Sequence, residues 1–166
     1  MANADLVLFE EDYTAINNIL ANLVRETNSK FALLVDRSGQ LISSQGDFRE
    51  MDSISFASLS AGNYAATSEL ARILGQEEFS VLFHQGVNES IHISIVESSV
   101  ILVVVFDNKT TLGLVRLRVK KAISELSTIF SKLFEKVKTA TESDFPGLDS
   151  SFTSVAESEI DNLFRD

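Results

Sequence analysis

A chain of 166 residues with 14 basic and 24 acidic side chains, a net charge of −10, no cysteine, no tryptophan and one proline fits an ordinary globular domain whose core needs no covalent staple. The missing cysteines exclude disulfides, thiolate metal sites, Fe–S clusters and Cys nucleophiles. The acidic balance argues against nucleic-acid binding, since no surplus of Lys and Arg is there to displace phosphate counterions.

From Asp12, the apolar residues Tyr13, Ile16, Ile19, Leu20, Leu23 and Val24 recur at three- and four-residue steps, which predicts a first helix ending near Asn28. Residues 31–36 read as a buried strand that turns through Arg37-Ser38-Gly39 into a second strand at 40–44. Asp52 or Ser53 can cap a second, long helix running to Gly75. Three strands follow, at residues 79–85, 90–96 and 100–106. The strict alternation of Ser90, Ile91, His92, Ile93, Ser94 and Ile95 predicts one buried face and one that is wet or covered by something polar. Val115, Val119, Ile123, Leu126, Phe130, Leu133 and Val137 then mark a third helix, the clearest periodicity in the chain.

The resulting expectation is an α/β domain over residues 1–138, ordered α-β-β-α-β-β-β-α. A five-stranded antiparallel sheet lies between the long middle helix and the two outer helices. Residues 139–153, rich in Ser, Thr and Asp and holding Pro146-Gly147, read as a flexible linker. Residues 154–166 read as a short amphipathic helix that orders only against a partner. No basic region precedes the apolar residues 6–9, and the longest apolar run, 100–106, is far below the roughly 18 residues of a membrane helix. A cytoplasmic protein without a membrane span is therefore expected.

The net charge divides unevenly. Residues 1–108 carry −10, residues 109–138 carry +6 and residues 139–166 carry −6. One reading of the basic segment is a solvated helix face with Arg116, Lys120 and Lys121 as surface charges. Another is that the acidic tail folds back onto it.

Little of this sequence points to catalysis. His84 and His92 read as partly exposed strand residues with no further ligands at metal-binding spacing, and no phosphate loop, dinucleotide fingerprint or nucleophile elbow occurs. No cofactor or metal is expected. The middle helix is more distinctive. Ala57, Ala61, Ala65 and Glu69 are spaced by four, with Ser58, Gly62, Ala66 and Arg72 beside them, so one side is almost bare of bulk. Ile54, Leu59, Ile73 and Leu74 stand opposite and can pack on the sheet. The bare side either faces the protein's own sheet or pairs with its copy in a second subunit, leaving a platform for a protein partner.

The segments LVDRSGQLISSQG, SLSAGNYAATSELARILG, FHQG, VVVFDNKTTLGLVRLRVKKA and EIDNLF resemble the bacterial MglB proteins of the Roadblock/dynein light chain family. The resemblance implies a homodimer whose subunits continue one sheet across the interface, with the long middle helices side by side. It implies GTPase activation on a Ras-like small GTPase of the MglA type, in control of cell polarity and motility, with a cell pole as the candidate place within the cytoplasm. The implied partner-binding residues are Ser58, Ala61, Gly62, Ala65, Glu69 and Arg72 on the middle helix and Ile160, Leu163 and Phe164 near the end. The implied mechanism orders the GTPase's own switch regions without inserting an arginine, so this chain has no active site. A non-catalytic scaffold is the alternative, and a sensor with a small ligand on its sheet is a third reading.

Overall fold

The computed structural model describes residues 10–97 and 99–144. Its elements are α1 (Glu10–Thr27), β1 (Phe31–Asp36), β2 (Leu41–Gly46), α2 (Ser53–Ile73), β3 (Val81–Gln85), β4 (Glu89–Glu97), β5 (Val100–Asp107) and α3 (Leu112–Asp144). The five strands form one antiparallel sheet in the order β2-β1-β5-β4-β3, so the apolar strands β1 and β5 sit inside it. This is the three-helix, five-strand arrangement expected from the sequence. No helix of the described residues is long and apolar enough to cross a membrane.

Local chemistry sets the helix ends. Glu10, Glu11 and Asp12 complement the positive end of α1. At its other end Asn28 adopts φ 51°, and the amide of Ser29 reaches back to the Val24 carbonyl at 3.1 Å, a left-handed stop that Asn tolerates. The Asp52 carboxylate accepts from the Ile54 and Ser55 amides, each at 3.1 Å, and caps α2. Gly75 at φ 72° closes that helix, with the Gln76 amide donating to the Ala71 carbonyl at 2.9 Å.

One face of the sheet is covered by α1 and α3. Ile16, Leu20 and Leu23 meet Val115, Val119, Leu126, Phe130 and Leu133 over Ala32, Leu34, Leu102 and Val104, all buried. An Arg118–Glu26 ion pair at 3.4 Å joins the two helices. The other face, built on Phe31, Leu33, Val35, Ile93, Ile101 and Val103, is covered by α2 and by Phe48 and Met51 of the loop before it.

Three expectations change. First, α3 continues to Asp144, so the first six residues of the segment read as a linker are helical. Their Ser/Thr-rich composition suggested a loop, but neither Gly nor Pro interrupts the chain before Pro146. The rest of that linker and the terminal segment 154–166 lie outside the described residues. Second, the face of β4 expected to be wet or covered is covered: Ile91, Ile93 and Ile95 belong to the α2 side, while His92, Ser94 and Val96 are buried on the side of α3. Third, His92 is 2% exposed, not partly exposed. Its Nδ1 lies 3.1 Å from Ser94 Oγ, and burial, reinforced by the Arg116 charge, pushes its pKa down to about 4.

Candidate functional site

The way α2 meets the sheet decides what it offers outward. Ala57, Ser60, Ala61, Tyr64 and Ala71 face inward and are buried. The strands supply the bulk beneath them, and methyl-sized side chains let the helix lie close on that surface. Ile54, Leu59, Leu70, Ile73 and Leu74 stand 58–73% exposed. The expectation that Ile54, Leu59, Ile73 and Leu74 pack on the sheet is therefore corrected: the large side chains point away from it. Their inward placement would have lifted the helix off strands already rich in Leu, Val and Ile.

Tyr64 fixes the rotation of α2. Its hydroxyl donates to Glu78, which is also held by Arg37 at 2.9 Å, and the Arg37 guanidinium lies 5.5 Å from the Tyr64 ring centroid. Burial, followed by the Glu78 hydrogen bond, pushes the Tyr64 hydroxyl up to about 12. On the far flank Asn63 Nδ2 lies 3.3 Å from Nε2 of His84, an exposed residue of the edge strand β3. The β1–β2 turn braces the near flank. Gly39 adopts φ 93° there, and a Cβ on it would lie 3.0 Å from the Ser58 backbone.

Of the residues implied by the resemblance, Ser58, Gly62, Ala65, Glu69 and Arg72 are exposed and follow one another at steps of four, three, four and three along one side of α2. Ala61 does not join them. At 5% exposure it is packed between helix and sheet, so it sets the helix's height and is out of a partner's reach. Gly62 is informative, because a Cβ added there would meet nothing within 4 Å. Nothing among the described residues calls for a glycine, although Gly in a helix costs about 1 kcal/mol relative to Ala. Arg72 Nε donates to Glu69 Oε1 at 2.9 Å, which holds the Glu69 carboxyl below its usual range and raises the guanidinium. Ile160, Leu163 and Phe164 lie outside the described residues.

Beside this stripe, Leu59, Ala66, Leu70 and Ile73 continue around the helix, all exposed. Leu70 carries no mark in the helical pattern that singled out the stripe, and Leu59 and Ile73 stand outward where the sequence pattern placed them on the sheet. Their signal was available: Leu59 lies three residues from Gly62, Leu70 four from Ala66 and Ile73 three from Leu70, on one side of the helix.

The remaining surface offers less chemistry. An open cleft of about 820 Å³ is lined by Phe31, Met51, Phe56 and the ion pairs Lys30–Glu89 and Arg49–Asp47. Those four charges pair with one another, and Glu50 lines the cleft beside them. No group of three or more His, Asp or Glu side chains suited to a metal ion occurs among the described residues.

The Roadblock/LC7 domain family matches residues 15–106. The chain belongs to the Roadblock/LC7 family. It is 50% identical to Myxococcus xanthus MglB, covering 76% of this chain and 96% of that one, with a TM-score of 0.73. Similarity also extends to the gliding protein MglB of Thermus thermophilus, at 32% identity over 79% of this chain and 99% of that one, TM-score 0.72. A further structure, described as MglB with tetrameric arrangement, is 31% identical over 80% of this chain and 99% of its own, TM-score 0.74. None of the curated protein sequences matches this chain.

Proposed function

We propose that this protein is a homodimeric GTPase-activating protein for a bacterial Ras-like GTPase of the MglA type, acting in cell polarity and motility from the cytoplasm. The observation that carries this reading is the outward side of α2, where five large aliphatic side chains stand exposed beside a glycine with open space around it. Burying a Leu or Ile side chain is worth about 1.5–3 kcal/mol, and monomeric proteins rarely leave such residues contiguous. In the dimer, Leu59, Leu70 and Ile73 meet their copies, and the unpaired edge of β3 beside α2 continues the sheet into the second subunit. The stripe Ser58, Gly62, Ala65, Glu69 and Arg72 then forms a low platform for the GTPase switch regions. The neighbour described as MglB with tetrameric arrangement and the one named a gliding protein support self-association and the link to motility.

The mechanism requires no active site here. Hydrolysis on a Ras-like protein needs a positioned water and compensated phosphate charge, and a partner that orders the switch segments supplies both through the GTPase's own residues. Arg72, the arginine of the platform, is engaged by Glu69, which favours ordering over an inserted guanidinium. Ile160, Leu163 and Phe164 give a second contact with the GTPase. The test is GTP turnover by an MglA-type GTPase with wild-type protein, with a variant ending at Asp144 and with Ala65→Arg. Wild-type protein accelerates turnover and Ala65→Arg does not, while its melting temperature is unchanged. Binding without acceleration by wild-type protein would favour the scaffold reading instead.

A further inference from the structure

The first turns of α3 carry a patch that the packing of the domain does not use. Leu117 is 64% exposed, Leu114 stands exposed one turn before it, and Arg116, Lys120 and Lys121 surround the pair, with Lys121 also 4.0 Å from Glu125 at the edge of the patch. The steps from Leu114 to Leu117 to Lys121, and from Arg116 to Lys120, put all five on one side of the helix. An apolar centre ringed by cations suits a short acidic segment with apolar anchors. This differs from the outward side of α2, where the exposed residues are mostly aliphatic or small and the charges of Arg72 and Glu69 pair with each other.

We infer that the chain's own C-terminal segment, residues 154–166, docks on this patch, placing Ile160, Leu163 and Phe164 against Leu117 and Leu114 and its acids against Arg116, Lys120 and Lys121. Charge complementarity is the first argument. That segment has four acids, Glu157, Glu159, Asp161 and Asp166, against one cation, Arg165. A helical turn sets Ile160, Leu163 and Phe164 on one side, at steps of three and one.

Reach is the second argument. Leu117 lies 27 residues before Asp144 in α3, about 40 Å along the helix at 1.5 Å per residue. The ten steps from Asp144 to Ser154 extend to at most about 35 Å, and Ile160 lies about 9 Å further even if the segment is helical. Running back along α3, the segment therefore reaches Leu117 with its first anchor and Leu114 with its last. A shorter tail would stop in the middle of α3, where Glu125 interrupts the positive surface. The contact is independent of the GTPase reading; if both hold, a GTPase that takes the same segment must compete with α3 for it.

The chain has no cysteine, so a spin label on Ser124→Cys, exposed on the same side of α3, is unique in the 166 residues. The readout is paramagnetic broadening of the backbone amides of residues 154–166, with no GTPase present. At low salt these signals lose more than about half their intensity, and they recover near 0.5 M salt, where the screening length falls to a few Å. Lys120→Glu with Lys121→Glu restores them at low salt, and adding Glu157→Lys with Glu159→Lys in that background brings the broadening back. The amide spectrum of the body reports in each case that the domain is folded. Tail signals unaffected by the label at low salt would overturn the inference. So would broadening indifferent to both salt and charge reversal, or broadening seen only between labelled and unlabelled copies in a mixed sample.

Discussion

The two faces of the sheet are finished differently. Under α1 and α3 the large side chains point inward: Ile16, Leu20, Leu126, Phe130 and Leu133 are all buried, and the core is complete within one subunit. Under α2 the fully buried residues are alanines, a serine and one tyrosine, Phe56 packs half-buried on Phe31, and the helix's leucines and isoleucines face away from the sheet. A helix that packs on a sheet through its small residues and exposes its large ones has two apolar sides, and the second needs a cover. The first face therefore carries folding stability, and on the proposed reading the second carries association.

The largest effect expected from this contrast is on the closed face. Phe130→Ala removes a fully buried ring and costs about 3–5 kcal/mol, read as a lowered denaturant midpoint. A loss near that of an exposed site, below about 0.5 kcal/mol, would mean that the α1–α3 core is not the stabilising one.

Next comes pH. With His92 held at about 4 against an ordinary 6.5, the unfolded chain binds the proton more readily between those values. The contribution of His92 is full above pH 6.5 and falls away as pH drops toward 4, a loss of about 3 kcal/mol. Equilibrium unfolding across that range should show this slope, and His92→Gln should flatten it.

A smaller effect separates ordering from an inserted arginine. Arg72→Ala should lower stimulated GTP turnover less than about tenfold, whereas a guanidinium acting on the phosphates would be worth about 10³ or more. Smaller still, Gly62→Ala should raise the stability of the isolated subunit by about 1 kcal/mol, since the new methyl meets nothing and the helix gains. The same substitution, on the proposed platform and not on the seam of Leu59, Leu70 and Ile73, should lower stimulated GTP turnover and leave the dimer dissociation constant unchanged. A stabilised subunit with undiminished stimulation would place the platform elsewhere.

The closed face was legible in the sequence because its signal is redundant. The run from Val115 to Val137 repeats at helical steps for many turns, and the continuous apolar strands at 31–35 and 100–106 can only be interior. The site was half legible. Ser58, Gly62, Ala65, Glu69 and Arg72 do share an exposed side of α2, but the rotation of the helix was misjudged, so Leu59 and Ile73 were sent to the sheet and Ala61 to the surface. Assigning large residues inward fails when a sheet already supplies the bulk and the helix must lie close to it. Tyr64, whose contact with Glu78 and Arg37 sets that rotation, joins residues far apart in the chain, and periodicity carries no trace of it. His92 was misplaced for a related reason: alternation puts it opposite the isoleucines without revealing that α3 covers that side as well.

The most direct test of the account is the molar mass in solution, by light scattering, of wild-type protein and of Leu59→Ser combined with Ile73→Ser. Wild-type protein should have twice the mass of one chain, and the variant the mass of one chain, with unchanged far-ultraviolet circular dichroism. A variant that keeps the wild-type mass would contradict the claim that the outward side of α2 exists to be covered.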